Sequence, residues 1–165
     1  MSDFDSAVIT VLQHEGGYIN NPRDPGAETC FGISKRSYPN INIRNITRGE
    51  ATEIYFRDWW QKFGYCNIRD QHLATKIFDA AVNIGAKKAH QLLQRAITSF
   101  DKTILIDGIC GKQTFQAIQE LNEENLTAYL IDRFRILLSH YYLELTEINP
   151  ANRIFLHGWL KRALS

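Results

Sequence analysis

The sequence H-E-G-G-Y, at residues 14–18, ends the first apolar pattern of the chain and determines how the fold begins. Before it, apolar residues recur at helical spacing, at Phe4, Val8, Val11 and Leu12. Ser2 or Asp3 is suited to cap this helix, and the glycine pair at 16–17 is typical of a helix end. The pattern therefore predicts a first helix that ends with the carboxylate of Glu15 beside a sharp turn.

Turn signals and further polar side chains follow Glu15 closely. Asp24 lies in the turn D-P-G at 24–26, and Thr29 lies shortly after it. Glycoside hydrolysis needs an acid that protonates the leaving oxygen and a second polar group that directs a water or stabilises the sugar cation. The negative end of the helix dipole disfavours the ionised form of Glu15, which suits the acid, whereas Asp24 is expected to stay ionised. The alternative is that Glu15 is a surface residue at a frayed helix end and Asp24 only caps a turn.

Composition excludes several classes of protein. The 19 basic and 18 acidic residues nearly cancel, so the chain lacks the basic excess expected of a nucleic-acid binder. No apolar run is long enough to cross a bilayer, and the start M-S-D-F-D lacks the apolar region of a secretory signal. The three cysteines, Cys30, Cys66 and Cys110, are widely spaced and odd in number, which indicates free thiols in a reducing compartment rather than disulfides or a zinc site.

Further along the chain, the patterns predict mostly helices. The capping box T-R-G-E at 47–50 opens a helix that extends to Trp59. Additional helices are predicted at 70–84, 86–100, 112–121, 126–145 and 153–164, with a short strand at 29–33 and an irregular segment at 38–46. The prediction is a mainly α fold with a small β element near the N-terminus, in one medium domain or two packed lobes.

The run H-E-G-G-Y-I-N-N-P-R-D-P-G-A-E-T-C-F-G-I-S, at 14–34, closely resembles the start of glycoside hydrolase family 108. The resemblance continues through A-T-E-I-Y-F-R-D-W-W at 51–60 and F-D-A-A-V-N-I-G at 78–85. Members are N-acetylmuramidases of the lysozyme-like superfamily, found as phage endolysins and as muramidases of typhoid-toxin-type secretion. The resemblance implies a lysozyme-like fold with Glu15 as the catalytic acid and with no cofactor or metal.

Two carboxylates are candidates for the second catalytic group. Glu15, Asp24 and Thr29 resemble the Glu–Asp–Thr triad of phage-type lysozymes, but the gap from Asp to Thr is one residue shorter here. Cys30 takes the position that the threonine has in those enzymes. Glu28 is therefore an alternative second carboxylate, and both retaining and inverting chemistry stay open.

Aromatic and polar residues near these positions are candidates for substrate binding. Four aromatic rings could stack on sugar faces or could belong to the core: Tyr18, Tyr55, Trp59 and Trp60. Asp79 and Asn83 lie one helical turn apart, so they share a face, either as a buried network or as cleft-lining groups that bind N-acetyl sugars. The family resemblance favours the cleft, and Glu28 is also counted among the substrate-binding candidates.

The C-terminal half contains the motif D-G-x-x-G-x-x-T, formed by Asp107, Gly108, Gly111 and Thr114. This motif resembles predicted peptidoglycan-binding modules, although it could equally serve only to hold a turn against the next helix. We expect a catalytic lobe at 1–91 and a peptidoglycan-binding helical lobe at 92–165, packed together. The five histidines show no metal-ligand spacing.

These observations predict an N-acetylmuramidase that cleaves the β-1,4 bond between N-acetylmuramic acid and N-acetylglucosamine in peptidoglycan glycan strands, for phage lysis or toxin release. Three alternatives stay open: a lytic transglycosylase on the same fold, a non-catalytic peptidoglycan-binding protein, and a helical adaptor of secretion machinery. We expect a monomer made in the bacterial cytoplasm without a Sec signal. It would act in the periplasm with the help of a holin-like export partner.

Overall fold

The computed structural model describes residues 1–20 and 28–165 of the chain. In these residues the α-helices are α1 (Phe4–Glu15), α2 (Arg48–Tyr55), α3 (Gln71–Ile84), α4 (Ala86–Thr98), α5 (Lys112–Glu123), α6 (Thr127–Ile148) and α7 (Arg153–Leu164). Short 3₁₀ turns lie at Ile43–Asn45, Tyr65–Asn67 and Pro150–Asn152. The mainly α prediction is confirmed, although α6 extends beyond its predicted end and the segment at 38–46 contains the first of these turns.

The β element is a small antiparallel sheet rather than the single strand predicted at 29–33. Its strands are β1 (Ile19–Asn20), β2 (Glu28–Cys30) and β3 (Ile33–Ser34), in the order β1-β2-β3. Phe31 and Gly32 have positive φ values of 50° and 75°, so the backbone turns back between the paired residues Cys30 and Ile33. A two-residue loop with two positive φ values is the turn that joins twisted antiparallel strands most readily, which explains the correction.

Helix α2 begins as the sequence predicts and ends differently. Thr47 and Glu50 form a complete capping box, with Thr47 accepting from the Glu50 amide and Glu50 accepting from the Thr47 amide. After Tyr55 the chain continues as a π-helix at Phe56–Gln61 instead of a regular α-helix. Trp60 is 2% exposed and packs edge-on against Phe78 with ring centroids 5.5 Å apart, whereas Trp59 is only half-buried.

Helix α3 is the centre of the core. It contacts α1, α4 and α6, and residues such as Leu73, Ile77 and Phe78 are fully buried on it. Asp70 caps its start by accepting a hydrogen bond from the Leu73 amide. The cysteines are free: Cys30 is buried, and Cys66 and Cys110 are half-buried.

The C-terminal helices form an antiparallel pair. Helix α6 ends at Ile148, and Asn149 and Pro150 lead into a 3₁₀ turn that reverses the chain, so α7 packs back along α6. This return brings the end of α7 to the end of α1, where the candidate site lies. Across the described part of the chain, no helix combines the length and the apolar character that spanning a membrane requires.

Candidate active site

Glu15 is the last residue of α1, and its carboxylate lies in a partly enclosed position between two different parts of the fold. Gly16, with φ 67°, turns the chain away immediately after it. One carboxylate oxygen, Oε1, accepts a hydrogen bond from Arg162 Nη2 of α7 at 2.7 Å. The side chain of Glu15 is 18% exposed, so the carboxylate is accessible to a ligand but largely shielded from bulk water.

The turn between β2 and β3 approaches the other side of Glu15. A Cβ atom built on Gly32 would lie 2.7 Å from Glu15 Oε2, so only glycine leaves room for the carboxylate here. The Tyr55 hydroxyl, which also borders Gly32, donates a hydrogen bond to the Phe31 carbonyl at 2.8 Å. Burial, followed by the charge of Glu15, raises the pKa of Tyr55 well above its ordinary range, so the hydroxyl stays a donor.

A buried ion-pair network lies behind Glu15. Arg162 donates to the carboxylate of Asp79 through Nη2 at 2.8 Å and through Nε at 3.1 Å, while the same Nη2 contacts Glu15. His14 Nδ1 lies 3.0 Å from the same carboxylate. Burial raises the pKa of Asp79, but hydrogen bonds from His14 and Arg162 outweigh that effect and hold it below its ordinary value. Asp79 is therefore an anion that holds Arg162 in place.

A groove of about 300 Å³ extends from Gly32 and Tyr55. Its walls include aromatic rings and a few polar groups, among them Tyr38, Asp58, Trp59, Lys62 and Phe63. Tyr38 donates a hydrogen bond to Asp58 at 3.0 Å, and burial together with this bond raises the pKa of Tyr38 to about 12. Apolar walls with a few fixed polar groups are typical of ligand sites, and such walls match the faces and edges of sugar rings.

Several of the predicted site residues therefore lie at this groove or beside it. Glu15 borders Gly32, while Tyr55 and Trp59 line the groove itself. Asn83 is half-buried on α3, and its Oδ1 accepts a hydrogen bond from Tyr142 at 2.6 Å.

Two predicted substrate-binding residues lie elsewhere. Trp60 belongs to the core, because the π-helix directs its ring toward Phe78. Asp79 is 2% exposed and belongs to the ion-pair network, so the preference for a cleft-lining Asp79 was wrong and the buried-network alternative describes it. An unpaired carboxylate would be too costly to bury, and Arg162 and His14 supply the partners that the sequence alone did not reveal.

The remaining predicted residues belong to the small sheet or its surroundings. Tyr18 is exposed, and its hydroxyl donates to Glu28 at 3.1 Å, so these two candidates form a pair. Thr29 is in the middle strand, paired in register with Ile19 and Ser34. Asp24 lies outside the described residues, so its proposed role stays a prediction.

Sequence reasoning missed Arg162, His14 and Gly32. Arg162 lies 147 residues from Glu15, and an arginine in a C-terminal helix carries no local signal that could have connected the two. Gly32 could have been found, because a glycine between two short apolar segments is typical of a hairpin turn. His14 precedes Glu15 directly, but its partner Asp79 is 65 residues away.

The motif at 107–114 is held by two buried side chains of α4, His90, whose Nδ1 lies 3.0 Å from the Gly108 carbonyl, and Gln94. Gln94 Nε2 donates to Asp107 Oδ1 at 2.8 Å and to the Ile109 carbonyl at 3.1 Å, and Gln94 Oε1 accepts from the Gly108 amide at 2.8 Å. Thr114 is 3% exposed and lies against the same amide group. These contacts favour a structural role for the motif over direct ligand contact.

A mainly α fold whose first helix ends in a glutamate facing a small antiparallel sheet is the lysozyme-like fold, as predicted. Residues 8–85 match the family model of glycosyl hydrolase 108, and residues 88–164 match that of a predicted peptidoglycan domain. The N-terminal part of the chain is thus similar to glycosyl hydrolase family 108, and the part after it is similar to a predicted peptidoglycan domain. Together the two matches support a glycoside hydrolase that acts on peptidoglycan.

A solved structure, that of SagA from Brucella abortus, is similar in fold. The similarity covers 98% of this chain and 93% of that chain, with a TM-score of 0.70 and 21% sequence identity. At this identity the likeness concerns the fold alone. No curated protein matches the chain.

Proposed function

We propose that the protein is an N-acetylmuramidase that hydrolyses the β-1,4 bond between N-acetylmuramic acid and N-acetylglucosamine in peptidoglycan. The observation that carries this proposal is the position of Glu15, which lies between the Gly32 turn and Arg162 beside an aromatic groove. Protonation of the glycosidic oxygen requires a carboxylic acid that is close to the bound sugar and shielded from bulk water.

The guanidinium of Arg162 is shared unequally between two carboxylates, those of Asp79 and Glu15. Asp79 receives several hydrogen bonds from the guanidinium, two of them from Nε at 3.1 Å and one from Nη2 at 2.8 Å, whereas Glu15 receives one. Asp79 therefore compensates most of the positive charge. The single hydrogen bond from Arg162 fixes the direction of the Glu15 carboxyl group, which in our proposal delivers a proton to the glycosidic oxygen.

The second catalytic role falls to Asp24 or Glu28, with Thr29 as a group that can hold a water. Glu28 is half-buried on β2 and accepts a hydrogen bond from Tyr18, so it already has a partner. Asp24 is therefore the preferred residue in our proposal. It would stabilise the positive charge at the anomeric carbon or direct the attacking water.

The biological setting is part of the same proposal. Peptidoglycan lies outside the cytoplasmic membrane, so the enzyme would be made in the cytoplasm and act in the periplasm after release through a holin-like partner. It would act as a monomer, in phage lysis or in toxin release. Co-expression with and without a holin, followed by release of the protein from whole cells, tests the export step.

The deciding experiment measures the muropeptides that the purified protein releases from sacculi, by mass spectrometry. We expect reducing N-acetylmuramic acid ends from the wild type and none from Glu15→Gln. Glu147→Gln, which removes an exposed carboxylate in α6, is the matched control and should retain full activity. Parallel assays of Asp24→Asn and Glu28→Gln identify the second group, since only the catalytic one should lose most of the rate.

The competing functions give different products in the same assay. A lytic transglycosylase also uses one glutamate but would leave 1,6-anhydro ends. A protein that only binds peptidoglycan would release nothing while still sedimenting with sacculi. An unchanged rate in Glu15→Gln would overturn the assignment of the acid even if wild-type products were those of a muramidase.

A further inference from the structure

Three aromatic rings are stacked at the junction of α6 and α7. Tyr142 and Trp159 have ring centroids 5.3 Å apart with planes inclined by 25°, and Trp159 and Phe155 follow at 5.7 Å and 29°. We call these three residues the aromatic stack. Their exposure increases outward, from Tyr142 at 1% through the half-buried Trp159 to Phe155 at 52%. The stack therefore begins in the core and ends at the surface.

Two residues of the aromatic stack lie on the same face of α7 as Arg162. Phe155, Trp159 and Arg162 are spaced four and three residues apart, so they share one face of α7. Arg162 at one end of this face contacts Glu15. From Phe155 to Arg162 the helix advances about 10 Å, a distance that two linked sugar rings can span. A glycan chain held at Glu15 could therefore extend along α7.

A polar group lies beside the inner end of the stack. The Tyr142 hydroxyl donates to Asn83 Oδ1 at 2.6 Å, which fixes the orientation of that amide. Asn83 lies one turn after Asp79 on α3, so the residue that contacts the stack and the residue that binds Arg162 share one face of this helix. Among the described residues, Asn83 Nδ2 donates no hydrogen bond to another protein group, so this donor can bind a ligand acceptor.

Packing explains only part of this arrangement. Tyr142 and Trp159 hold α7 against α6, and core packing alone would account for them. Phe155 contributes little to that core, because half of its surface faces solvent. A large apolar ring that is stacked in place yet half exposed offers a flat binding face at low entropic cost.

We propose that Phe155 and Trp159 form an accessory binding site for the glycan strand, beyond the sugars that are bound at the point of cleavage. The apolar face of a pyranose ring would stack on Phe155 at the edge of Trp159, and Asn83 Nδ2 would donate to an acetamido carbonyl near Glu15. This inference rests on the proposed function and names the C-terminal helix as part of its substrate site. Stacking at one exposed ring corresponds to about a tenfold gain in affinity.

Binding is measured first, without catalysis. Peptide-free glycan strands are titrated into Glu15→Gln protein, and the dissociation constant is followed by tryptophan fluorescence or calorimetry. We expect Phe155→Ala, added to Glu15→Gln, to weaken binding of long strands about tenfold. Ile154→Ala is the matched control, because Ile154 is the neighbouring residue on α7 and is 79% exposed. It removes apolar area from a different face of the same helix and should leave affinity unchanged.

Trp159 supplies an independent readout. Trp159→Phe keeps an aromatic ring in the stack while removing one of three tryptophans. If the glycan reaches α7, the fluorescence change on binding should decrease in Glu15→Gln/Trp159→Phe relative to Glu15→Gln. The same change in both proteins would place the bound glycan near Trp59 alone and overturn the proposal.

Catalysis then gives a length dependence. For active protein with Phe155→Ala, the ratio of kcat/KM on long strands to kcat/KM on tetrasaccharides should fall about tenfold. An equal loss on both lengths, or an equal loss in Ile154→Ala, would contradict a subsite on α7. Failure of the proposed function would look different from failure of this inference. If the protein were not a muramidase, the wild type would cleave neither substrate, while the glycan titration would still show whether Phe155 and Trp159 contribute to binding.

Discussion

The guanidinium of Arg162 and the carboxylate of Glu15 form an ion pair of 2.7 Å between residues that are 147 positions apart in the sequence. Arg162 also binds Asp79, so α7, α1 and α3 meet at one buried charge. The candidate catalytic residue, in the part of the chain that matches glycosyl hydrolase 108, is thus oriented by a residue of the part that matches a predicted peptidoglycan domain. The two matched regions consequently build one site rather than two independent ones.

The first prediction concerns removal of this guanidinium. Arg162→Met should lower the free energy of unfolding by about 3 kcal/mol, because Asp79 would stay buried with only His14 as a partner. It should also lower kcat about tenfold or more, since the Glu15 carboxyl group would lose its orientation. Urea denaturation and muropeptide release measure the two effects.

A matched pair of variants separates charge from geometry. Arg153→Met removes an exposed arginine from the start of α7 and should change neither quantity. Arg162→Lys keeps the positive charge but cannot bind Asp79 through two nitrogens, so it should recover part of the stability and little of kcat. Full activity in Arg162→Met would show that Glu15 does not need this contact.

The second prediction is a dependence of stability on pH. Burial raises the pKa of Asp79, but hydrogen bonds from His14 and Arg162 lower it by a larger amount. The pKa in the folded protein therefore lies below the pKa in the unfolded chain. A carboxylate of this kind stabilises the fold fully above its unfolded pKa of about 3.9. That stabilisation is lost as pH falls through the lower folded value.

The free energy of unfolding, measured by urea denaturation from pH 7 down to pH 3, tests whether stability decreases with falling pH as predicted. The wild type should lose stability below about pH 4, and Asp79→Asn should lose less over the same interval because its buried group does not titrate. Asp132→Asn is the control, since the Asp132 side chain is 65% exposed and should leave the wild-type curve intact. Identical slopes for wild type and Asp79→Asn would contradict the assignment.

Local signals explain what the sequence predicted correctly. The glycine pair after Glu15, the capping box at Thr47 and Glu50, and the apolar face of α3 all act within a few residues, and each element appears in the structure. The hairpin turn at 31–32 also has a local cause, the positive φ of Gly32. The sequence nevertheless predicted a single strand at 29–33, because the residues around Gly32 favour β structure.

Contacts between distant segments explain what the sequence could not predict. The buried position of Asp79 depends on Arg162, which reaches it only because α7 folds back along α6. The different positions of Trp59 and Trp60 depend on the π-helix after Tyr55, which regular helical spacing does not anticipate. Periodicity alone therefore cannot decide whether a polar or aromatic residue faces the core or the groove.

The third prediction concerns the close approach of Gly32 to Glu15. Gly32→Ala places a Cβ 2.7 Å from Glu15 Oε2. The backbone φ of 75° at this position is also one that residues other than glycine rarely adopt. We expect a loss of about 2 kcal/mol in stability and a decrease in kcat of about a hundredfold, because the carboxylate must move. Circular dichroism and muropeptide release measure both changes.

Gly158→Ala is the control for this glycine. Gly158 lies in α7, and a Cβ there would meet nothing within 4 Å. Alanine should therefore stabilise the helix by about 0.5–1 kcal/mol without affecting kcat. Equal behaviour of Gly32→Ala and Gly158→Ala would mean that the turn at 31–32 does not restrict Glu15.

The last prediction decides between the structural and the binding interpretation of the motif at 107–114. Gln94→Leu would leave the buried Gly108 amide without its partner, while the Asp107 carboxylate would keep the Ile109 amide, so stability should fall by about 1–3 kcal/mol. Gln119→Leu, on the exposed face of α5, should change it by less than about 0.5 kcal/mol. Below the unfolding transition, Gln94→Leu protein should still sediment with sacculi as the wild type does, because the inward-facing side chains touch no ligand. A variant of unchanged stability that no longer binds sacculi would instead make the motif a direct contact with peptidoglycan.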